Sequence, residues 1–237
     1  MAIRAITFDF WRTLFHDACD PARRRRIRID ALCAAAGVTP ERAEDALRRA
    51  EHDFLLHHIN EKRTLGPEDA VDMTARTLGV TITGHKRSEL AKVFAEAILY
   101  DPPTPIPGAF DAVQTAARTH PVGVVSDSGI SPGRSLRVLL DQHGFTKYFG
   151  ALAFSDEVGV AKPQAAMFET AARHLRVAPH ELLHIGDLEL TDVAGAKGVG
   201  AKTALFAGDN AKYRETTSAD YIFTDWSEFI QTLPSLR

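Results

Sequence analysis

The sequence predicts an α/β fold, a doubly wound parallel sheet with an all-helical block inserted near its start. Over the second half of the chain, short apolar runs alternate with helical stretches of ten to fifteen residues, the rhythm of βαβ units. A first apolar, β-branched run stands alone at residues 3–9. Between it and the others lie about ninety residues of helical texture with no convincing strand.

The elements follow in order. Residues 3–9 are a short buried strand. Asp20-Pro21 starts the first helix, with Asp as cap and Pro in the first turn. Gly37 ends it, and Thr39-Pro40 repeats the start signal for a second. Gly66-Pro67 breaks the chain again before a third helical period from Ala70 to Leu78, and Ser88 to Leu99 reads as a fourth. Four prolines between Asp101 and Gly108 cannot continue a helix, so this stretch reads as a stiff linker and boundary. Beyond it, Val122–Val125, Ala151–Phe154, Leu182–Ile185, Ala201–Phe206 and Tyr221–Phe223 read as strands, with helices from Ser131 to His143 and from Gln164 to Leu175. The expected division is a discontinuous core, residues 1–15 and 104–237, around a helical block at 16–103. No internal repeat or low-complexity tract is present.

Composition narrows the function classes. The 237 residues are 45% hydrophobic and 25% charged, ordinary for a soluble globular protein. A net charge of -3 argues against a general nucleic-acid binder. No apolar run approaches the roughly 20 residues that span a bilayer, and the first strand begins almost at once, so a cytoplasmic protein is expected. Cys19 and Cys33 are too few for a disulfide framework and read as buried thiols.

In an open parallel sheet, ligands bind outside the carboxyl ends of the strands. Each expected tip carries something suited to an anion or a metal. Asp9 and Thr13 follow the first strand. Ser126, Asp127, Ser128 and Gly129 follow the second. Lys162-Pro163 comes after the third, and Gly186-Asp187, Thr191 and Asp192 after the fourth. Asp9 is an anionic nucleophile needing no deprotonation near neutral pH. Asp9 and Asp187 would repel each other unless a cation lies between them, and oxygen ligands with substrate phosphates suit Mg²⁺. Ser126 can donate to a bound oxyanion, and the amides of Asp127, Ser128 and Gly129 offer backbone donors ahead of a helix. Lys162 supplies positive charge for the anion or the crowded carboxylates.

These residues resemble the haloacid dehalogenase (HAD) superfamily of hydrolases. The resemblance covers essentially the whole chain in four motifs: Asp9-Phe10-Trp11-Arg12-Thr13, Ser126, Lys162-Pro163, and Gly186-Asp187 with Asp192. It implies a Rossmann-like core with a mobile helical cap. It also implies catalytic roles for Asp9, Thr13, Ser126 and Lys162, substrate contacts from Trp11, Arg12, Asp127, Ser128 and Gly129, and a Mg²⁺ held by Asp9, the backbone carbonyl of Trp11, Asp187 and Asp192.

Two positions depart from the family pattern. Trp11 stands where family phosphatases carry the Asp that protonates the leaving group, and Arg12 replaces the usual Gly. An aromatic at position 11 is a feature of family dehalogenases, which expel halide and need no leaving-group proton. The retained Asp187 and Asp192 match the metal-dependent phosphatases instead. The resemblance therefore implies a Mg²⁺ phosphatase acting on a small phosphorylated metabolite through an aspartyl-phosphate on Asp9. Haloacid dehalogenation through an aspartyl ester is the first alternative, and a weakly catalytic binding or regulatory homologue the second. Loss of general acid catalysis typically costs about 10²–10⁴-fold, which favours good leaving groups or an acid borrowed from elsewhere; His16 and Asp17, near the entry to the cap, are candidates. Partners are expected to be a small-molecule substrate, without nucleic acid or membrane, in a monomer or homodimer. Arg23–Arg26 with Arg28 read as a solvated helix face, and His52, His57 and His58 as helix surface.

Overall fold

The computed structural model describes residues 2–17, 21–61 and 64–236. Cys19 and the expected cap at Asp20 lie outside the described residues, as does the side chain of His58. Six strands form one parallel sheet: β1 (Ala5–Phe8), β2 (Val122–Ser126), β3 (Phe149–Phe154), β4 (Leu182–Gly186), β5 (Lys202–Phe206) and β6 (Tyr221–Phe223), in the order β3-β2-β1-β4-β5-β6. The helices are α1 (Pro21–Ala36), α2 (Pro40–Glu61), α3 (Pro67–Leu78), α4 (Gly84–Tyr100), α5 (Ala109–Ala116), α6 (Gly133–Gln142), α7 (Ser155–Val158), α8 (Ala165–Leu175), α9 (Ala194–Gly198) and α10 (Trp226–Thr232). This is the expected doubly wound, Rossmann-like core with helices on both sheet faces. Helix α5 follows immediately on the proline run, in a stretch where no helix was expected.

Strand alternation divides the core. Ile6, Phe8 and Val124 pack with Leu136, Leu139, Trp226 and Phe229 on one face. Ala5, Val125 and Ala153 meet Met167, Phe168 and Ala172 on the other. The strands are buried on both faces, which is why they read as unbroken apolar runs.

Helices α1 to α4 pack around their own apolar centre, including Leu32, Leu47, Val71 and Phe94. The chain leaves the sheet and returns to it side by side. His16 N–H donates to Thr104 O (3.0 Å), Ile106 N–H donates to Leu14 O (2.9 Å), and Phe15 bridges Pro105.

Two expectations need correction here. Cys33 is only half-buried. The arginine run is not one solvated face: Arg23 and Arg26 are exposed, but Arg24 and Arg28 are buried. Arg24 Nε donates to Asp101 O at 2.8 Å, and Arg28 donates to Phe94 O from Nε at 3.3 Å and from a terminal nitrogen at 3.2 Å. Guanidinium groups can be buried where carbonyls satisfy their donors.

Candidate functional site

Sheet order decides where the chemistry collects. The order reverses direction at β1 and β4, and a crevice opens at such a switch point outside the strand ends. β1 pairs with β4 with Phe8 opposite Ile185, so Asp9 and Asp187 emerge from neighbouring tips. Asp9 N–H extends the ladder to Ile185 O at 2.8 Å. Asp192 is carried in by a π-type turn at Glu189–Val193, a local widening common at functional sites.

Lys162 joins the tips. Its Nζ lies 2.6 Å from Asp9 Oδ1 and 2.5 Å from Asp192 Oδ1. All three side chains are almost completely buried. Gly186 makes room for this: a Cβ there would stand 2.3 Å from Asp192 Cγ.

A buried layer beneath was not anticipated. His184 and Thr7, directly opposed on β4 and β1, share a 3.0 Å hydrogen bond between His184 Nδ1 and Thr7 Oγ1. His184 Nε2 lies 3.1 Å from Asp192 Oδ1. Burial lowers the imidazole's pKa, so a neutral ring donating from Nε2 and accepting at Nδ1 satisfies both neighbours. Its one sequence signal was a histidine in the otherwise apolar run Leu182–Ile185.

The loop after β5 adds a second unanticipated set. Asn210 Nδ2 donates to Asp187 Oδ2 at 2.7 Å. Its neighbour Asp209 accepts from Arg12 twice, at Oδ2 from Nε (3.0 Å) and at its carbonyl (2.8 Å). Asp209 Oδ1 lies 2.7 Å from His16 Nδ1. Arg12 has the left-handed φ of 55°, consistent with a position expected to hold Gly. Its guanidinium is committed to Asp209 rather than presented alone to a substrate. The signal for this loop was the polar Asp209-Asn210 pair at a fifth strand tip.

At the β2 tip, Ser126 is fully buried and its hydroxyl donates to Asp127 O at 3.2 Å. Asp127 Oδ1 accepts the Lys162 N–H at 2.9 Å, which places the lysine. Two of the three amides expected to face an anion are already used. Ser128 N–H donates to Ser155 Oγ (2.8 Å) and Gly129 N–H to Ser131 O (3.4 Å). The Ser128 hydroxyl bonds the Asp156 carboxylate. Phe54 of α2 covers this loop, its ring 3.0 Å from where a Gly129 Cβ would lie. Thr13 is buried with no hydrogen-bond partner for Oγ1 among the described residues. Trp11 is half-buried, its ring edge-on to Phe10 at 4.9 Å.

Charge balance decides what the cluster suits. Oxygens of Asp9, Asp187 and Asp192 lie within 4.8 Å of one another, and one buried ammonium faces the three carboxylates. Burial, then the charges of Asp192 and Asp187, push the Asp9 carboxyl up to about 8 against the pull of Lys162. Burial and Asp192 raise Asp187 to about 6. Burial opposes charge on Asp192 as well, but Lys162 and His184 hold it below the usual carboxylate range. Lys162 is held charged in turn: burial works against it, and Asp192, Asp9 and Asp127 outweigh burial. With all three carboxylates ionised, two negative charges would stand unbalanced by Lys162, and that demand with an all-oxygen donor set fits a hard dication. Both oxygens of Asp192 are engaged, Oδ1 by Lys162 and His184 and Oδ2 by Leu188 N–H (2.9 Å). The hydrogen bonds to Asp9 and Asp187 fall on one oxygen each.

The profile of the haloacid dehalogenase-like hydrolases matches residues 3–200. The chain belongs to that family. Among relatives of this HAD-like hydrolase is haloacid dehalogenase-like hydrolase domain-containing protein 3 of Xenopus laevis, 28% identical over 214 residues, 86% of this chain and 84% of the relative. The glyceraldehyde 3-phosphate phosphatase of Methanopyrus kandleri is 27% identical over 212 residues, 85% and 82% of the two chains. That of Pyrococcus furiosus is 34% identical over 103 residues, which span only 40% of it. Solved structures share the HAD-like fold across nearly the whole chain. A 2-haloacid dehalogenase from Pseudomonas syringae superposes with TM-score 0.70 at 19% identity, covering 98% of this chain and 99% of that one. The magnesium-bound HAD hydrolase YfnB from Bacillus subtilis does so with TM-score 0.67 at 16% identity and the same coverage. No described helix of this HAD-like hydrolase is long and apolar enough to cross a membrane.

Proposed function

We propose that this HAD-like hydrolase is a Mg²⁺-dependent phosphatase of a small phosphorylated metabolite. The observation that carries the reading is the buried cluster of Asp9, Asp187 and Asp192, with Lys162 the one buried ammonium beside it among the described residues. Asp9, Asp187 and the carbonyl of Trp11 would hold the cation, with Asp192 in support through Lys162 and the π-type turn. When bound, the dication offsets the excess negative charge, favours ionised Asp9 and polarises a phosphoryl oxygen.

A carboxylate oxygen of Asp9 attacks phosphorus, the bond from phosphorus to the leaving oxygen breaks, and an aspartyl-phosphate forms. Water then attacks that phosphorus, releasing phosphate and restoring Asp9. Lys162 holds Asp9 in place and offsets charge as the phosphoryl oxygens approach. Thr13 Oγ1 and Ser126 Oγ, both buried, are the hydroxyls for those oxygens. Helices α1 to α4, residues 16–103, serve as the cap, with Phe54 over Gly129 as one closing contact. The relatives named as phosphatases support this choice of substrate class.

Trp11 favours a second reading, 2-haloacid dehalogenation, because halide leaves without a proton. The two separate cleanly. Purified protein is assayed on an aryl and an acyl phosphate with and without Mg²⁺, beside Asp9→Asn. Mg²⁺-dependent turnover lost in Asp9→Asn is expected, and unchanged turnover in that variant sinks the proposal. Halide release from a 2-haloacid that survives excess EDTA supports the dehalogenase.

A further inference from the structure

We propose that His16, oriented by Asp209, is the acid–base residue that protonates the leaving oxygen. This rests on the phosphatase reading above. Three observations place it.

First, the loop after β1 doubles back. Trp11 bridges Phe15 in parallel, and Arg12 N–H donates to Phe15 O at 2.6 Å. His16, the next residue, is thereby brought beside Arg12, and both reach Asp209, whose neighbour Asn210 holds Asp187. Second, His16 Nδ1 lies 2.7 Å from Asp209 Oδ1, in a carboxylate–imidazole pair. The carboxylate accepts a hydrogen bond from Nδ1–H, which fixes the ring and leaves Nε2 for proton transfer. Asp209 is itself clamped by Arg12, while the adjacent Asn210 holds Asp187. One short segment therefore ties His16 to the site. Third, the other groups have occupations. Asp9 attacks, Asp187 and Asp192 serve the cation, and Lys162 is locked between carboxylates. His184 is sealed beneath Asp192, whereas the His16 side chain is 38% exposed at the crossing to the helical block.

The step balances. As Asp9 forms its bond to phosphorus, the leaving oxygen takes the Nε2 proton of the imidazolium and departs as a neutral alcohol. Water attacking the aspartyl-phosphate then returns a proton to Nε2 as phosphate leaves. Because protonation matters most for a poor leaving group, the readout is a ratio of kcat/KM for 2,4-dinitrophenyl phosphate over that for an alkyl phosphate. His16→Gln is expected to widen this ratio by about 10²–10⁴-fold, and Asp209→Asn to widen it in the same direction by less. If His16→Gln does not fold, Asp209→Asn, which keeps the imidazole, carries the test. A ratio unchanged in the folded variants overturns the assignment, including the case where both substrates slow equally. Wild-type protein that cleaves both esters through Asp9 with an unchanged ratio in the variants sinks only the His16 role. Wild-type protein that cleaves neither sinks the phosphatase reading along with it.

Discussion

Lys162 Nζ stands 2.6 Å from Asp9 Oδ1, with both side chains almost wholly out of solvent. A buried ammonium inserted between Asp9 and Asp192 does more than offset charge. It fixes the spacing of two groups that come from tips β1 and β4, on elements 153 and 30 residues away from it in sequence. Removing one partner of a buried pair leaves an uncompensated charge, at a cost of about 3–5 kcal/mol. Lys162→Met is therefore expected to lower stability by about that amount, measured by urea unfolding. Mg²⁺ should recover part of the loss by supplying cationic charge to the same carboxylates. A variant as stable as the parent in EDTA contradicts this account of the cluster.

The pH dependence of the cation-free protein follows from the same crowding. Asp9 is pushed up to about 8 and Asp187 to about 6, both from 3.8. The folded state then binds protons that the unfolded chain has released, so stability falls as pH rises through that window. Lys162 is raised and Asp192 lowered, so both stay charged in either state near neutrality and add no slope. His184, with its lowered value, acts with the opposite sign below about 6.5. The clean window is about pH 6.5 to 8, where the apparent Tm in EDTA should drop. Saturating Mg²⁺ should flatten or reverse the slope. A Tm in EDTA that climbs across this window contradicts the raised Asp9.

Gly186 offers a sharper steric test. A Cβ there would fall 2.3 Å from Asp192 Cγ and 2.6 Å from its Oδ1, distances no side chain tolerates. Asp192 cannot yield freely, because Lys162, His184 and Leu188 N–H all hold it. Gly186→Ala should cost about 1–3 kcal/mol, as overpacking does, and weaken Mg²⁺ binding measured by calorimetry. Unchanged stability and unchanged affinity together would mean that Asp192 is free to move.

Much of this site was legible because the fold class names the place to look. Asp9, Ser126, Lys162, Asp187 and Asp192 follow apolar runs, and a parallel sheet gathers such tips at one edge. What escaped has physical reasons. Thr7 and His184 lie inside strands, where a run of mostly apolar residues masks a cross-strand polar pair until the register is known. Asp209 and Asn210 follow β5 in a segment that reads as an ordinary turn. Only the β4–β5 pairing brings it to Asp187. The nest of amides at Ser128 and Gly129 was overestimated because sequence cannot show that Ser155 and Ser131 reach those donors first. A run of like charges reads as solvated because it gives no hint that Arg24 and Arg28 reach the carbonyls of Asp101 and Phe94, at the end of α4 and within it.

Arg12 poses the most instructive trade. Its φ of 55° is a left-handed conformation that costs a non-glycine residue on the order of 1 kcal/mol or more. Against that stands an ion pair with Asp209, in which the arginine side chain is 41% exposed. Pairs of that exposure contribute about 0–1 kcal/mol. The two nearly cancel, so Arg12→Gly should leave stability within about 1 kcal/mol of the parent. The functional consequence is larger, because Asp209 would lose the clamp that aims it at His16. Alkyl phosphate turnover should therefore fall while the urea midpoint barely moves. If the midpoint falls by more than about 2 kcal/mol equivalent, Arg12 is a structural keystone of the loop. In that case its retention in place of glycine reflects folding rather than the alignment of the Asp209–His16 pair.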